Sequence, residues 1–217
     1  MSTEVESKFR AVDQLVLHRL AKIDHLGPGR LGEATVAQEL DRYLDTADRR
    51  LAAGGWACRL RTRADRTILS LKGAAKASPG DQSGLHRRPE IEGPATAEIV
   101  PDAWPPSEAL DRLQELTGGA RLEERLHLNQ RRTERPVVVD GHRVATLSLD
   151  EVDVLDPGGE SLGRLLVVEL EHASTAREDE LVAVAAALLA EPGLAPDPLT
   201  KLEHATRRIA GAGARAG

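Results

Sequence analysis

The sequence predicts an α+β fold in which antiparallel strands close into a barrel and helices pack against its outside. Most of the chain falls into segments of two-residue alternation, the period of a strand. The charged faces of these segments sort by strand, with acids in "EVESKF" and bases in "CRLRTR". The helical segments are few and separated by strands or turn-rich stretches. A solvated sheet face would carry a mixed scatter of Ser, Thr, Lys and Glu, whereas a closed barrel turns one face of every strand inward. Clustered carboxylates would then face clustered Arg and Lys across a lumen, with the aliphatic faces outside under the helices.

In "EVESKF", Glu4, Glu6 and Lys8 share one face and Val5, Ser7 and Phe9 the other. From Val12 to Asp24 the spacing of Leu15, Leu17, Leu20 and Ile23 predicts a short helix. "GPGRLG" formally matches GxGxxG, but it follows no predicted strand, contains Pro28 and leads into the partly strand-like "ATVAQELDRYLD", so a plain loop is expected. Asp45, Thr46 and Asp48 are expected to shape the next turn through local backbone hydrogen bonds.

"CRLRTR" puts Arg59, Arg61 and Arg63 on one face, and "TILSLKG" does the same for Ser70 and Lys72. Arg63 has a lumen role only if its strand stays in the barrel that far. The stretch Gly73 to Gly84 reads as a flexible polar connection, after which "RRPEIEG" aligns Arg88, Glu90 and Glu92. "PPSEALDRLQELTGG" is a helix capped by Ser107 and stopped at Gly118, and "STAREDELVAVAAALLAEPG" is a second. "RPVVVDGHRVATLSLDEVDV" is a hairpin turning at Asp140 and Gly141, with Thr146, Ser148 and Asp150 on one face. "LLVVELEH" aligns Glu169 and Glu171, and "LTKLEHATRRIA" closes the chain before a Gly/Ala tail. One domain over residues 1–207 and a disordered tail over 208–217 are expected.

The 217 residues are 41% hydrophobic, enough for a real core, but only 2% aromatic, so that core is built of Leu, Val and Ala. Trp56 and Trp104 are expected to pack, and His127 and His142 to be surface or satisfied polar groups. A net charge of −6 argues against a protein that coats nucleic acid or an anionic membrane. No apolar run suits a bilayer span and no start resembles a signal peptide, so a soluble cytoplasmic protein is expected. The single cysteine, Cys58, excludes an internal disulfide, and the seven histidines lack zinc-site spacing. A lumen of opposed charges is costly unless something fills it. Divalent cations and a polyanion suit it, since carboxylates are hard oxygen ligands and guanidiniums match phosphate oxygens.

Taken singly, each charged face could be an exposed strand with cross-strand ion pairs. The ordered set is more specific. "EVESK" matches an ExExK signature, followed by "YLDTADRRLAAGGWACRLRTR" against YxDTxxxxL, Gly and LRxR. Then come "LSLKG", the R-x-E-x-E of "RPEIE", the "RRT" strand, the aspartate of "TLSLDE", the ExE of "VVELEH" and a late lysine in "LTKLEHA". From Glu4 to Lys201 the chain thereby resembles the CYTH, or triphosphate tunnel metalloenzyme, superfamily. It departs mildly in Cys58, where the pattern has Leu, and in Leu202, where an aromatic often follows the lysine.

The resemblance implies an eight-stranded antiparallel tunnel that binds triphosphate and Mg²⁺ or Mn²⁺. Glu4, Glu6 and Glu171 correspond to ligands of the main metal, and Asp150 and Glu169 to ligands of a second metal or to the group orienting the attacking water. Lys8, Arg59, Arg61, Lys72, Arg88, Arg132 and Lys201 correspond to the phosphate-binding set, Arg131 competing for the Arg132 role. Glu169, Asp150 and Lys8 are the candidate catalytic residues, and Glu90 and Glu92 match acidic tunnel positions of variable role. The activity implied is metal-dependent hydrolysis of inorganic triphosphate or a related compound. A non-catalytic polyphosphate sensor is the alternative, as are nucleoside triphosphatase, thiamine triphosphatase and adenylate cyclase chemistries in the same tunnel. The expected partner is a small polyanion, without membrane or nucleic acid, bound by a monomer or homodimer.

Overall fold

The computed structural model describes residues 2–74 and 85–213, so most of the polar connection expected after Gly73 lies outside the described residues. Along the chain come β1 (Ser2–Ala11), α1 (Gln14–Leu20), β2 (His25–Leu26), β3 (Gly29–Leu31), β4 (Thr35–Thr46) and α2 (Arg50–Ala53). Next are β5 (Trp56–Arg63), β6 (Arg66–Gly73), β7 (Leu85–Ala95), a 3₁₀ turn (Pro101–Ala103), α3 (Glu108–Thr117) and β8 (Leu122–Val139). The chain then forms β9 (His142–Leu155), β10 (Ser161–His172), α4 (Glu178–Leu189), β11 (Leu194–Pro196) and α5 (Lys201–Gly213).

Eight strands make a closed antiparallel ring in the order β4-β5-β6-β7-β1-β10-β9-β8, with β8 returning to pair with β4. Closure removes the free edges that an open sheet would expose. The β8–β9 hairpin turns at Asp140 and Gly141, whose φ values of 47° and 83° suit the type I′ turn that matches strand twist. Asp45 accepts from the backbone N–H groups of Thr46, Leu51 and Ala52 and so nucleates α2 at the end of β4. The Ser107 hydroxyl caps α3 through Leu110 N–H, and Gly118 ends it at φ 61°.

The aliphatic outer faces are covered as expected. Phe9, Leu147, Leu149, Val168 and Leu170 pack under Leu17 and Leu20 of α1 and Val184 and Leu188 of α4. Leu60, Leu69, Leu71 and Ile91 pack under Leu110 and Leu113 of α3, with Arg112 seated on the Trp56 ring at 5.2 Å. Trp56 and Trp104 are packing residues, the Trp104 indole N–H donating to the Glu98 carbonyl. His127 pairs with Glu124 and His142 with Glu180. Among the described residues no helix is long and apolar enough to cross a membrane.

Three features differ from the sequence expectation. "GPGRLG" is a tight hairpin, not a plain loop: Leu26 pairs with Gly29, and Arg30 and Leu31 continue onto β8. A Cβ on Gly27, at φ 58°, would sit 2.9 Å from that of Ala187, so close packing under α4 accounts for this glycine.

Not all aliphatic faces point outward either. Leu126, Leu128, Val152, Val154, Leu165 and Val167 share the inward faces of β8, β9 and β10 and fill one end of the barrel. Leu202, Ala205 and Ile209 of α5 pack on them, so this helix covers an end of the lumen while the others lie outside. Packing of Ile209 also explains why α5 stays helical to Gly213, within the stretch expected to be disordered from 208.

Candidate functional site

The lumen encloses a cavity of about 1200 Å³. It extends the length of β5, because Trp56 at one end of that strand and Arg63 at the other both line it. Its walls are the inward faces of the eight strands, and three linked ion-pair groups fill them.

The first group joins β1, β6 and β7. Glu4 accepts from Lys72 Nζ at 2.7 Å and Arg88 Nε at 2.6 Å, and Lys72 also reaches Glu90 at 2.8 Å. Arg88 Nη2 bonds Glu6 at 2.9 Å, and Lys8 bonds the same Glu6 oxygen at 3.1 Å. The second group joins β8, β9, β10 and α5. Arg132 forks onto Asp150 at 2.8 and 2.6 Å and reaches Glu169 at 2.7 Å. Lys201, the first residue of α5, bridges Asp150 and Glu169 at 2.5 and 2.9 Å, while Lys8 approaches Glu169 at 3.5 Å.

The third group joins β4, β5 and β8. Arg61 forks onto Asp41 with two 2.7 Å bonds and approaches Glu39 at 3.2 Å. The Gln130 amide donates to both Glu39 and Asp41. Arg59 is less committed: it bonds Ser70 at 3.2 Å, lies 3.6 Å from Asp41, and its buried Nε has no partner. Arg63 lines the cavity and bonds Glu134 at 2.9 Å, so its strand stays in the barrel to the end.

These contacts set the charge states. Burial opposes ionisation of Glu4, but the Lys72 and Arg88 cations override it and lower its pKa to about 2. Asp41 is desolvated too, yet Arg61 and Arg59 hold it well below the usual carboxylate range. In Asp150 and Glu169 burial is likewise overcome, by Arg132 and Lys201 for the first and by Lys201, Lys8 and Arg132 for the second. Lys8 is raised, because Glu6 and Glu169 outweigh its burial. Lys72 is lowered by burial and by repulsion from Arg59 and Arg88, which its contacts with Glu4 and Glu90 do not offset. Glu171 is raised, first by desolvation and then by the neighbouring Glu4 carboxylate.

Most of the residues anticipated from the sequence thus meet in one cavity. Glu171 lines it without an ion pair among the described residues, and Glu92 accepts from Ser70. Arg131 is the correction. Adjacent strand residues face opposite ways, so Arg132 points into the lumen and Arg131 outward to Glu151. Glu39, Asp41, Gln130 and Glu134 were missed. The first two stand at the same i, i+2 spacing as Glu4 and Glu6, directly before the "YLDT" motif, and that alternation was the available signal.

Oxygen donors suited to a hard cation are present in Glu4, Glu6 and Glu171, Glu6 and Glu171 being direct cross-strand partners. Glu171 has no ion pair of its own among the described residues, and the chemistry of the three carboxylates fits a divalent ion. Among the described residues no three acidic, His or Cys side chains already stand in a metal-holding cluster, because Glu4 and Glu6 are turned onto Arg88, Lys72 and Lys8.

The barrel is closed, and its lumen alternates carboxylates with Arg and Lys. Residues 2–205 match the CYTH domain family, and the chain belongs to that family. No curated protein sequence matches it. Its fold is similar to that of a candidate adenylyl cyclase from Hippeastrum described as having a dominant triphosphatase activity, with a TM-score of 0.65 and 21% identity over 92% of this chain and 93% of that one. A candidate adenylate cyclase from Bacillus halodurans gives 0.62 and 18% identity over 94% and 98% of the two chains. The PH1819 protein from Pyrococcus horikoshii gives 0.52 and 17% over 94% and 99%. At these identities the likeness is one of fold.

Proposed function

We propose that the protein is a divalent-metal-dependent hydrolase of triphosphate compounds, with inorganic triphosphate as substrate. One observation carries this reading: Lys8, Arg59, Arg61, Lys72, Arg88, Arg132 and Lys201, from six different elements, converge on a single cavity. A guanidinium forked on a carboxylate presents the geometry that a phosphate also accepts. Triphosphate would therefore enter by exchanging with the carboxylates that hold these cations, Arg59 being the least committed of them.

Positioning and charge stabilisation supply most of the rate in phosphoryl transfer. The basic wall would hold the phosphates in line, and the Asp150–Glu169 pair, kept ionised, would orient water toward the terminal phosphorus. Attack forms the new P–O bond as the bridging P–O bond breaks, giving phosphate and diphosphate. Glu4, Glu6 and Glu171 would hold the divalent ion, which when bound offsets phosphate charge and acidifies water. An inorganic substrate is favoured because, among the described residues, the cavity lining carries only two Phe, Tyr or Trp side chains, Tyr43 and Trp56, and the Trp56 ring is already covered by Arg112.

The test is phosphate release from tripolyphosphate, ATP and thiamine triphosphate with Mg²⁺, Mn²⁺ or chelator, with cyclic AMP assayed in the ATP reactions. Metal-dependent release from tripolyphosphate is expected, and Glu6→Gln should lose turnover while keeping most binding. Tight binding without any turnover would make the protein a polyphosphate sensor instead.

A further inference from the structure

Nearly every inward-facing polar side chain that is nine-tenths buried has a partner on the chain. Lys8, Asp41, Arg132, Asp150 and Lys201 are ion-paired, Ser70 donates to Glu92 at 2.6 Å, and His86 bonds the Asp197 carbonyl. Ser148 departs from this. It is 3% exposed and lines the cavity, yet among the described residues its hydroxyl has no hydrogen-bond partner.

The hydroxyl faces the open cavity, and the next inward residues on the same strand beyond Asp150 are the valines Val152 and Val154. The acids nearest it in the sheet are each engaged by cations. Ser148 stands opposite Glu169 on β10 and Glu134 on β8. Glu169 is held by Arg132 and Lys201, and Glu134 by Arg63. Arg132 is the diagonal neighbour of Ser148 across β8 and β9, close enough for a long side chain to share a ligand with it.

We infer that Ser148 is a further substrate-binding residue, its hydroxyl donating to a non-bridging oxygen of the phosphoryl group that Arg132 holds. This deepens the triphosphate reading and rests on it. Phosphate oxygens are acceptors only, so they complement a donor that the protein leaves unpaired. The hydroxyl also adds no charge to the wall.

Calorimetric titration with tripolyphosphate, in chelator and again in Mg²⁺, compares wild type with Ser148→Ala and Ser148→Thr. The alanine variant should bind about tenfold more weakly, the loss of one hydrogen bond to a charged group. Its thermal midpoint should be unchanged, since the hydroxyl removed makes no hydrogen bond to the described residues. The threonine variant, which keeps the hydroxyl, should restore affinity. Unchanged affinity in the alanine variant would overturn the Ser148 assignment and leave the triphosphate reading standing, as would a defect confined to kcat. Failure of the wild type itself to bind tripolyphosphate would overturn both.

Discussion

Lys201 and Asp150 are separated by 51 positions in the chain, yet Nζ of the first lies 2.5 Å from Oδ2 of the second inside the barrel. The contact ties the N-terminus of α5 to the β8–β9–β10 wall. It also makes the closing helix part of the charged site.

Replacing Lys201 with Met should therefore act on stability and activity together. Asp150 and Glu169 would keep only Arg132 and the more distant Lys8 as counter-charges, and breaking one partner of a buried pair costs about 3–5 kcal/mol. A marked fall in the denaturation midpoint, with slower tripolyphosphate turnover, is expected. Equal stability would show that Lys201 does not enter the lumen in solution.

Arg59 and Arg61 are neighbours on one face but should behave differently. Arg61 is saturated by Asp41 and Glu39, so Arg61→Ala should lower stability by about 3 kcal/mol by removing the closest cation from two buried carboxylates. Arg59 is only loosely held, and Arg59→Ala should chiefly raise KM for tripolyphosphate, by about tenfold or more, through loss of a charge-assisted contact. Denaturation curves and KM values measured on both variants would refute the contrast if the two effects were reversed.

Acid should unfold the metal-free protein through its lumen. Glu4 drops from 4.5 to about 2 on folding, and Asp41, Asp150 and Glu169 are also lowered. A carboxyl with a depressed folded pKa contributes stability above its unfolded value and loses it as pH falls toward the folded one. For Glu4 alone the difference is worth about 3 kcal/mol. Glu171, shifted upward, works in the opposite sense at the rim. The thermal midpoint in chelator should hold above about pH 5 and fall steeply below it. A midpoint flat to pH 3 would mean these acids are not ion-paired in solution.

Arg135 offers a control outside the lumen. Its guanidinium donates to the carbonyls of Ala21, Ile23, Leu31 and Gly32, tying the end of α1 and the β2–β3 hairpin to β8. Arg135→Ala should cost about 2–4 kcal/mol in chemical denaturation while KM stays unchanged. A shifted KM with intact stability would place it in the site instead.

Much of the site was legible because strand geometry is local. The alternation in "EVESK", "CRLRTR" and "VVELEH" fixes which side chains share a face without reference to the rest of the chain. The Asp140–Gly141 turn and the Ser107 cap depend on a few adjacent residues and were legible for the same reason. Glu39 and Asp41 had the same alternation, but the surrounding "VAQELDRYLDT" does not separate acids from bases, so its inward face did not stand out.

By itself, then, the sequence determined the strand faces, the turns, the caps and the ordered set of charges that marks the family. Only the tertiary structure decided which charges meet. Arg132 rather than Arg131 faces Asp150 because of where β8 closes against β9, and Lys201 reaches the same acid because α5 packs Leu202, Ala205 and Ile209 over an apolar end of the barrel. Barrel register and helix docking depend on contacts between residues far apart in the chain. Residue spacing within a segment carries no information about them.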